Sequence, residues 1–388
     1  MKIIYILPNT VSQGGSNKSF LTMLQGLIQQ GIEPLVIVPD KKGIYTLLRE
    51  QNIPCVSLSY RNSVYPWSRT LKDKLLFIPR LCGRILVNSL ATFQLLHTAK
   101  QFQPDIIHTN VSVTNIGFYV AQLLRLPHIW HIREYGGVDW QQFYYYPSKR
   151  LHFTRYKRSN SYTICITKDL QRHNKCNGWK NSTVIYNGIQ SADSIAYENS
   201  KLPYLLYVGR LEAQKGILSL IEAYAEYCKN IQNPLPLHVA GYGLPEFTKT
   251  IHQQINQYQL ADKIILLGAR DNVAALYQKA TALIVPSLFE GFGRITAEAM
   301  FNGCLVIGYD ATGTKEQFDN GKELTGEEIA LRYTTQQQLV QHLTRVTQNP
   351  TDNYKDMIFR AQKVVSHLYS TEQYSQQILD YYHHILNH

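Results

Sequence analysis

An apolar strand, a glycine turn and an alanine-rich helix follow one another over residues 282–300, in the sequence ALIVPSLFEGFGRITAEAM. The apolar run ends at Pro286 and Ser287, and Gly291 and Gly293 precede the helical segment. Such a junction points backbone N–H groups and the positive end of a helix dipole into the crevice at the carboxyl edge of a parallel sheet. The stretch therefore predicts a doubly wound α/β fold with a place where phosphate or sugar oxygens bind.

Two acidic residues flank this junction. Glu290 enters the glycine turn, and Glu298 lies eight residues further on, which is about two helical turns. An ionised carboxylate only accepts hydrogen bonds, and sugar hydroxyls readily donate them. Both glutamates are therefore candidates for binding one polyhydroxylated ligand.

Apolar periodicity predicts two successive series of alternating strands and helices. The first opens with a strand at 2–7, a loop containing Gly14 and Gly15, and a helix of about four turns. The second begins with a strand at 204–208, after a polar segment at 191–201. We therefore expect two Rossmann-like domains, at 1–190 and 202–370, with a linker at 191–201 and a C-terminal helix at 371–388 that packs back on the N-terminal domain.

Two cations follow the first strand of the second series. Arg210 stands directly after Gly209 at the carboxyl end of that strand, and Lys215 lies at or just before the next helix. A guanidinium binds two oxygens at once, and an ammonium adds a point charge. Together the two side chains are suited to hold a diphosphate near Glu290.

Two other glycine-rich loops do not fit the common nucleotide motifs. The loop GYGLPE at 241–246 has Glu246 in place of the third glycine of a dinucleotide-binding fingerprint. The loop GGSNKS at 14–19 lacks the spacing and the Gly-Lys pair of a P-loop. A dehydrogenase and a nucleoside triphosphatase are therefore disfavoured.

Positive charge is concentrated in the N-terminal half of the chain. Residues 1–190 contain 23 Lys and Arg against 8 Asp and Glu, whereas residues 191–388 contain 16 against 20. This asymmetry suggests a polyanionic partner, either a nucleic acid or an anionic membrane surface. Cations and aromatic residues surround a short apolar run at 75–78, which is typical of an interfacial segment, although a solvated helix face is the alternative. The candidate acceptor-facing or membrane-facing residues are Arg61, Trp67, Arg69, Lys72, Lys74, Arg80 and Arg84.

Neither a membrane span nor a disulfide framework is expected. No apolar run approaches the roughly 18 residues that cross a bilayer, and the first residues do not form a signal peptide. The six cysteines are scattered without a Cys-x-x-Cys pair, so reduced thiols are expected rather than disulfides or a zinc site. These features predict a cytoplasmic protein.

The order and spacing of several motifs resemble the retaining glycosyltransferases of family 4, which have the GT-B fold. GRLEAQKG at 209–216 precedes PSLFEGFG at 286–293 and EAM at 298–300. The remaining motifs, in chain order, are GG at 14–15, HIRE at 131–134, IYNG at 185–188, GYG at 241–243 and GCLVI at 303–307. The resemblance implies that the two domains face each other across a cleft, with the acceptor bound by the N-terminal domain and the nucleotide sugar by the C-terminal one.

The resemblance also implies roles for individual residues. Arg210 and Lys215 would stabilise the donor diphosphate as the glycosidic bond breaks, in place of a metal or other cofactor. Glu298 would bind the ribose, Glu290 the donor sugar, and His131 would face the reaction centre. The implied donor-binding set also contains Gly15 and Gly209, Phe292 and Gly293 as backbone N–H donors, and Arg270 as a contact to the base.

The implied reaction moves a hexose-type sugar from a nucleoside diphosphate sugar, with UDP-sugar expected, to a lipid-linked or polysaccharide acceptor. The family is described by attack on the same face that the leaving group departs from, so Glu290 is expected to bind substrate rather than act as a nucleophile. A GDP-sugar donor and, from a different class, a basic nucleic-acid-binding protein remain alternatives. No recognised nucleic-acid module is present, so we expect an anionic membrane at the inner membrane face rather than nucleic acid as the partner.

Overall fold

A computed structural model describes residues 1–12, 14–66, 70–136, 143–145, 148–270, 272–349 and 351–387. The chain divides into two compact units: residues 1–188 with 371–388, and residues 189–370.

The first unit contains a parallel sheet of seven strands. The described strands of this unit, which include two outside the sheet, are β1 (Lys2–Ile6), β2 (Glu33–Val38), β3 (Cys55–Ser57), β4 (Val64–Pro66), β5 (Ile106–Thr109), β6 (His128–Ile132), β7 (Phe143–Tyr145), β8 (Ser161–Cys165) and β9 (Ser182–Val184). The sheet has the order β3-β2-β1-β5-β6-β8-β9, and β4 pairs with β7 in a separate antiparallel ribbon. The helices are α1 (Gly15–Gln29), α2 (Ile44–Glu50), α3 (Leu71–Leu75), α4 (Phe77–Phe102), α5 (Ile116–Leu124), α6 (Lys149–Thr154) and α7 (Lys168–His173).

The apolar run of β1 shows why this sheet is central to the unit. Ile3 and Tyr5 belong to the core on one face of the sheet, and Ile4 and Ile6 belong to the core on the other face. Successive side chains of a strand point to opposite faces, so a strand covered on both sides must be apolar throughout. The continuous run at the N-terminus therefore encodes a buried central strand.

The second unit repeats this architecture with a parallel sheet of six strands. The strands are β10 (Leu202–Val208), β11 (Leu237–Ala240), β12 (Ile264–Gly268), β13 (Ala280–Val285), β14 (Val306–Tyr309) and β15 (Leu331–Tyr333), in the sheet order β12-β11-β10-β13-β14-β15. The helices are α8 (Ile217–Asn230), α9 (Pro245–Gln257), α10 (Ala274–Lys279), α11 (Arg294–Phe301), α12 (Thr312–Thr325), α13 (Gln336–Gln348) and α14 (Lys355–Leu368). The prediction of two Rossmann-like, doubly wound domains is confirmed.

The segment predicted as a linker at 191–201 belongs to the second unit instead. The Ala196 N–H donates to the Phe301 carbonyl, and the Gln362 side chain donates to the Ala196 carbonyl. Polar composition suggested a loose connection, but these backbone groups are bonded to α11 and α14. The chain passes from one unit to the other at Gly188 and Ile189.

The last helix, α15 (Thr371–Leu386), belongs to the first unit. Tyr374, Ile378, Tyr382 and Ile385 are buried in the core that also contains β1 and α1. Apolar spacing along residues 374–386 predicts a buried face that includes Tyr381 and Leu386, but Tyr381 is half-buried and Leu386 is exposed. The buried stripe of the helix is therefore rotated toward Tyr382.

The basic segment before β5 forms a helical arm, α3 followed by the 26-residue helix α4. Only Ala91, Leu95 and Ala99 of α4 are buried. No helix in the described part of the chain is long and apolar enough to cross a membrane.

Candidate active site

The order of the second sheet reverses between β10 and β13, the first and fourth strands of the unit. At such a point the connections after the two strands lead to opposite faces of the sheet, and a crevice opens between them at the carboxyl edge. Ligands of open α/β sheets bind in this crevice. The loops 209–216 and 286–293, which carry most of the predicted donor residues, follow these two strands.

A glycine allows the two loops to touch. Gly216 has a φ of +71°, and a Cβ at this position would lie 2.1 Å from the Pro286 carbonyl oxygen. A side chain is excluded by this contact and disfavoured by the left-handed backbone. The end of the loop after β10 is thus held directly against the start of the loop after β13.

Lys215 and Glu290 form an ion pair across the switch point. Lys215 Nζ lies 2.7 Å from Glu290 Oε1, and the two side chains are 20% and 12% exposed. Their low exposure makes the pair stronger than a fully solvated one. The structure therefore brings together one predicted diphosphate cation and the predicted sugar-binding carboxylate.

Helix α12 fixes the backbone of Glu290. The Glu290 N–H donates to Thr312 Oγ1 at 2.9 Å, and the Gly313 N–H donates to the Glu290 carbonyl at 2.9 Å. Both contacts come from the start of the helix after β14, the next strand in the sheet. Three neighbouring strand ends thus contribute to the position of this carboxylate.

The glycine turn reaches α11 through Gly293, which has a φ of +86° and is the residue before the first helical turn. Gln317 Nε2 donates to the carbonyls of Phe292 and Gly293. The Phe292 ring is buried and packs edge-on against Tyr369, with ring centroids 5.1 Å apart. Phe292 therefore anchors the turn through its side chain; donation by its backbone N–H to a ligand stays a prediction.

Glu298 lies on α11 beside Arg294 and Tyr277, neither of which is a predicted site residue. Arg294 Nη2 contacts Glu298 Oε1 at 3.2 Å, one helical turn away. Burial, followed by the nearby Glu298 carboxylate, raises the pKa of Tyr277 well above its ordinary value. Glu298 is 22% exposed, so it is accessible while its direction is set by Arg294.

Arg210 is the most exposed of the predicted diphosphate ligands. Its guanidinium lies 2.8 Å from Glu212 and is 57% exposed. The Tyr207 hydroxyl donates to the Arg210 carbonyl at 3.1 Å, and burial together with the charges of Glu290 and Glu212 raises the pKa of Tyr207. Tyr207 therefore holds the Arg210 loop through its hydroxyl. Arg270 is exposed after β12, and its contact with a base stays a prediction.

The first unit has a corresponding switch between β1 and β5. Gly15 is the first residue of α1, which follows β1. His131, on β6, is fully buried; burial, with Arg133 and His108 beside it, lowers its pKa well below the ordinary histidine value. The imidazole is therefore neutral near pH 7, and its approach to a reaction centre stays a prediction.

The candidate membrane-facing residues do not form one uniform group. Lys72, Lys74 and Arg80 are exposed on α3 and α4, whereas Arg84 is partly buried and donates to the carbonyls of Asn62 and Val64. The Arg84 guanidinium thus supports the segment at 62–64, and its acceptor-facing or membrane-facing role stays a prediction. Arg61 is exposed, and Trp67 and Arg69 lie outside the described residues.

Two family models match successive parts of the chain. The model for glycosyltransferase family 4 matches residues 13–192, and the model for glycosyl transferases group 1 matches residues 191–364. Both matches fall on chain segments with doubly wound sheets, and together they cover most of the sequence. The fold and these matches define a glycosyltransferase of GT-B type. The chain belongs to the group 1 glycosyltransferases of family 4.

Individual proteins of this class resemble the chain at low identity. A Campylobacter jejuni protein, GalNAc-alpha-(1->4)-GalNAc-alpha-(1->3)-diNAcBac-PP-undecaprenol alpha-1,4-N-acetyl-D-galactosaminyltransferase, is 23% identical over 343 residues, which are 85% of this chain and 87% of that one. The structure of Anabaena HepE with UDP superimposes with a TM-score of 0.76 at 20% identity, covering 98% of this chain and 99% of that chain. HepE with UDP-glucose gives a TM-score of 0.75 at 20% identity, covering 98% of each. The structural likeness shows a shared fold.

Proposed function

We propose that the protein transfers a hexose-type sugar from a UDP-sugar to a lipid-linked or polysaccharide acceptor, with retention of the anomeric configuration. The observation that carries the proposal is the Lys215–Glu290 contact at the switch point of the second sheet. It pairs a group suited to bind phosphate with a group suited to bind sugar hydroxyls. A nucleoside diphosphate sugar presents both kinds of atom a few bonds apart.

The charges on the loop after β10 fit a diphosphate. Lys215 and Arg210 are the cations of this loop, and each is paired with a carboxylate in the described structure, Glu290 and Glu212 respectively. A diphosphate competes for both cations and frees Glu290 to accept hydrogen bonds from the sugar. Two cations of the protein would then stabilise the leaving group without a metal ion.

Glu298 is placed to bind the nucleoside. Its carboxylate accepts from Arg294 through one contact at 3.2 Å and is partly exposed. A carboxylate has about four lone-pair sites, so it can accept from ribose hydroxyls while keeping this contact. Arg294 is therefore a positioning residue for the nucleoside site.

In the proposed reaction the bond between the anomeric carbon and the β-phosphate oxygen breaks, and the acceptor oxygen bonds to the same carbon. The acceptor proton passes to the departing phosphate. Retention by two inversions would need a free carboxylate nucleophile against the anomeric carbon. We propose instead that Glu290, whose backbone N–H and carbonyl are held by the start of α12, binds hydroxyls of the donor sugar.

Two relatives support the choice of substrates. The HepE structures are complexes with UDP and with UDP-glucose. The name of the Campylobacter jejuni relative includes a glycan linked to diphosphoundecaprenol. By extension we propose a UDP-hexose donor and an acceptor carried on a polyprenyl diphosphate. The product would belong to a cell-surface glycan.

We also propose that the first unit binds the cytosolic face of the membrane through α3 and α4. Exposed apolar residues recur along these helices at helical spacing: Leu71, Leu75, Ile78, Ile85, Leu86, Leu90 and Phe93. Leu71, Leu75 and Phe93 are each more than 70% exposed, and Lys72 and Lys74 lie beside the first two. An apolar stripe bordered by cations matches an anionic lipid surface.

The central experiment incubates the purified chain with a panel of UDP-hexoses and GDP-hexoses and a diphosphopolyprenyl glycan acceptor. We expect release of UDP and a product whose new linkage keeps the anomeric configuration of the donor, as read by proton NMR, with the rate unchanged by EDTA. An inverted linkage would contradict the retaining mechanism, and loss of activity with EDTA would contradict metal-independent catalysis. Turnover of GDP-sugars alone would establish the alternative donor, and tight binding of oligonucleotides without UDP binding would contradict a transferase.

A further inference from the structure

Thr312 is the first residue of α12 and has a φ of +50°. A left-handed backbone is uncommon for any residue with a side chain, because Cβ crowds the following carbonyl oxygen, and it is a marked outlier for a β-branched residue. Glycine is the residue that adopts this conformation without strain. The backbone of Thr312 is therefore unfavourable by itself, and some other interaction must stabilise it.

The other left-handed residues with a side chain, in the part of the chain that the structure describes, have an ordinary explanation. They lie within two residues after the end of a helix and are Asn52, Gln103, Arg125, Lys175 and Gln259. A left-handed residue is common there because it lets backbone N–H groups reach the last carbonyls of the helix. Thr312 stands at the start of a helix, so helix termination does not account for its conformation.

The side chain of Thr312 makes a contact that glycine could not make. Its Oγ1 accepts a hydrogen bond from the Glu290 N–H at 2.9 Å. The next residue, Gly313, donates its N–H to the Glu290 carbonyl at 2.9 Å, and a Cβ at Gly313 would lie 2.6 Å from that oxygen. The side chain of one residue and the backbone of the next thus hold both backbone polar groups of Glu290.

Gln317 holds the other end of the glycine turn. Its side chain is buried, and Nε2 donates to the carbonyls of Phe292 and Gly293. Neither of these contacts involves Thr312. A change at Thr312 should therefore loosen the start of the turn, where Glu290 lies, and leave α12 attached to the end of the turn.

The carboxylate of Glu290 has a separate support, which is Lys215 Nζ at 2.7 Å. In the proposed reaction the donor diphosphate competes for Lys215, so the carboxylate loses this support when the donor binds. The backbone of Glu290 is then the part of the residue that α12 still holds. Small displacements of a substrate-binding group lower the rate of reaction. The hydrogen bond to Thr312 should therefore matter most in the complex with the donor.

We infer that Thr312 is a positioning residue: its left-handed backbone is retained for the hydrogen bond between its hydroxyl and the Glu290 N–H, which keeps Glu290 against the donor sugar once the diphosphate has taken Lys215 as its partner. The effect on catalysis rests on the proposed function. The strain at Thr312 and its contact with Glu290 do not.

Hydrogen exchange at the Glu290 amide tests the contact without any substrate. Mass spectrometry of overlapping peptides compares the full wild-type chain with Thr312→Ser, Thr312→Val and Thr312→Gly. We expect slow exchange in the wild type and in Thr312→Ser, which both have a hydroxyl, and at least about tenfold faster exchange in the other two variants. The same exchange rate in all four proteins would overturn the inference.

Unfolding in urea tests the strain. The control is Gln259→Gly, which relieves a left-handed backbone with a φ of +56° at an exposed position, so its urea midpoint should rise above that of the wild type. Thr312→Gly loses the hydrogen bond but gains the same relief, whereas Thr312→Val loses the bond and keeps the strain. We therefore expect a higher midpoint for Thr312→Gly than for Thr312→Val. The reverse order would overturn the inference.

Steady-state kinetics and titration with UDP test the positioning role. We expect kcat to fall about tenfold in Thr312→Val and Thr312→Gly, and to stay near the wild-type value in Thr312→Ser and Gln259→Gly, while UDP binds equally tightly to all of them. A merely structural hydroxyl would make activity follow the urea midpoint, so that Thr312→Gly would be more active than Thr312→Val. Full turnover by Thr312→Gly, or the same loss in Thr312→Ser as in Thr312→Val, would overturn the inference.

The two proposals fail in different ways. An active transferase whose Thr312→Gly variant keeps full turnover would overturn the role of Thr312 and leave the proposed function. A chain that turns over no nucleotide sugar, but in which exchange of the Glu290 amide depends on the hydroxyl at position 312, would overturn the proposed function and leave the strained contact.

Discussion

Lys215 Nζ lies 2.7 Å from Glu290 Oε1, and this contact joins the loop after β10 to the loop after β13. The two residues are 75 positions apart in the chain. They meet because β10 and β13 are neighbours in the sheet, and because Gly216 lets one loop lie against Pro286 in the other. Sheet order and one glycine therefore place the proposed diphosphate-binding and sugar-binding groups side by side.

Replacement of Gly216 tests this close approach. In Gly216→Ala the left-handed backbone costs about 1–2 kcal/mol, and the overlap with the Pro286 carbonyl adds about 1–3 kcal/mol. Gly326→Ala is the matched control, because Gly326 has a φ of +79° but nothing within 4 Å of an added Cβ. We expect the urea midpoint to fall further in Gly216→Ala. Equal shifts in the two variants would contradict the packing of these loops.

The two glutamates are expected to affect different steps. Glu298→Gln removes the negative charge that ribose hydroxyls would donate to, so UDP affinity should fall about tenfold with little change in kcat. Glu290→Gln should lower kcat about 10- to 100-fold and leave UDP affinity nearly unchanged, because Lys215 keeps its charge. Calorimetry measures the UDP affinity and steady-state kinetics measure kcat. The control is Glu323→Gln, at an exposed position of α12. Full turnover in both variants would remove their assigned roles.

Sedimentation with vesicles tests the helical arm. We expect the chain to bind vesicles of equal parts phosphatidylcholine and phosphatidylglycerol, to bind neutral phosphatidylcholine vesicles weakly, and to dissociate as salt is added. Each of the changes Lys72→Gln and Lys74→Gln should remove about 1 kcal/mol of the free energy of binding to anionic vesicles. Together they should lower the affinity for these vesicles about 30-fold.

Apolar contacts of the same arm need a separate control. Leu75→Asn with Ile78→Asn should also weaken binding, because these side chains are 73% and 62% exposed along the arm. Leu123→Asn should not, since Leu123 is 64% exposed but belongs to α5 and not to the apolar stripe of α3 and α4. Equal binding to neutral and anionic vesicles, or the same loss in the Leu123 variant, would contradict the proposed surface.

Much of the fold was readable from local pattern. The start of helix α11 at Arg294 follows from the sequence, because Gly293 precedes the helical segment and alanines favour its interior. The buried strands β1 and β13 were readable as continuous apolar runs. The 26-residue helix α4 could not be recognised from the sequence, because few of its residues are buried and it lacks a clear apolar face toward the core.

Site residues that stand in a motif could be predicted from the sequence. Residues that act through contacts between distant parts of the chain could not. Glu290 and Lys215 stand in motifs, but Thr312 and Gln317, which hold the glycine turn, lie on the following helix without a distinctive pattern. Arg294 is the exception, since its spacing of four from Glu298 is a recognised helical pair. Arg133 stands in the HIRE motif, yet its guanidinium donates to the Tyr374 hydroxyl, 241 positions away in the chain.

The most direct test of the account is calorimetric titration of uridine, UMP and UDP into the wild-type chain and Lys215→Met, with Lys229→Met at the exposed end of α8 as the control. We predict that the wild-type chain and the control bind UDP more tightly than UMP and uridine. In Lys215→Met we predict that this gain falls by about 10- to 100-fold, as expected for a lost charge-assisted hydrogen bond. Equal UDP affinity in the wild-type chain and Lys215→Met, or no preference for UDP over uridine, would contradict a diphosphate site at the junction of β10 and β13.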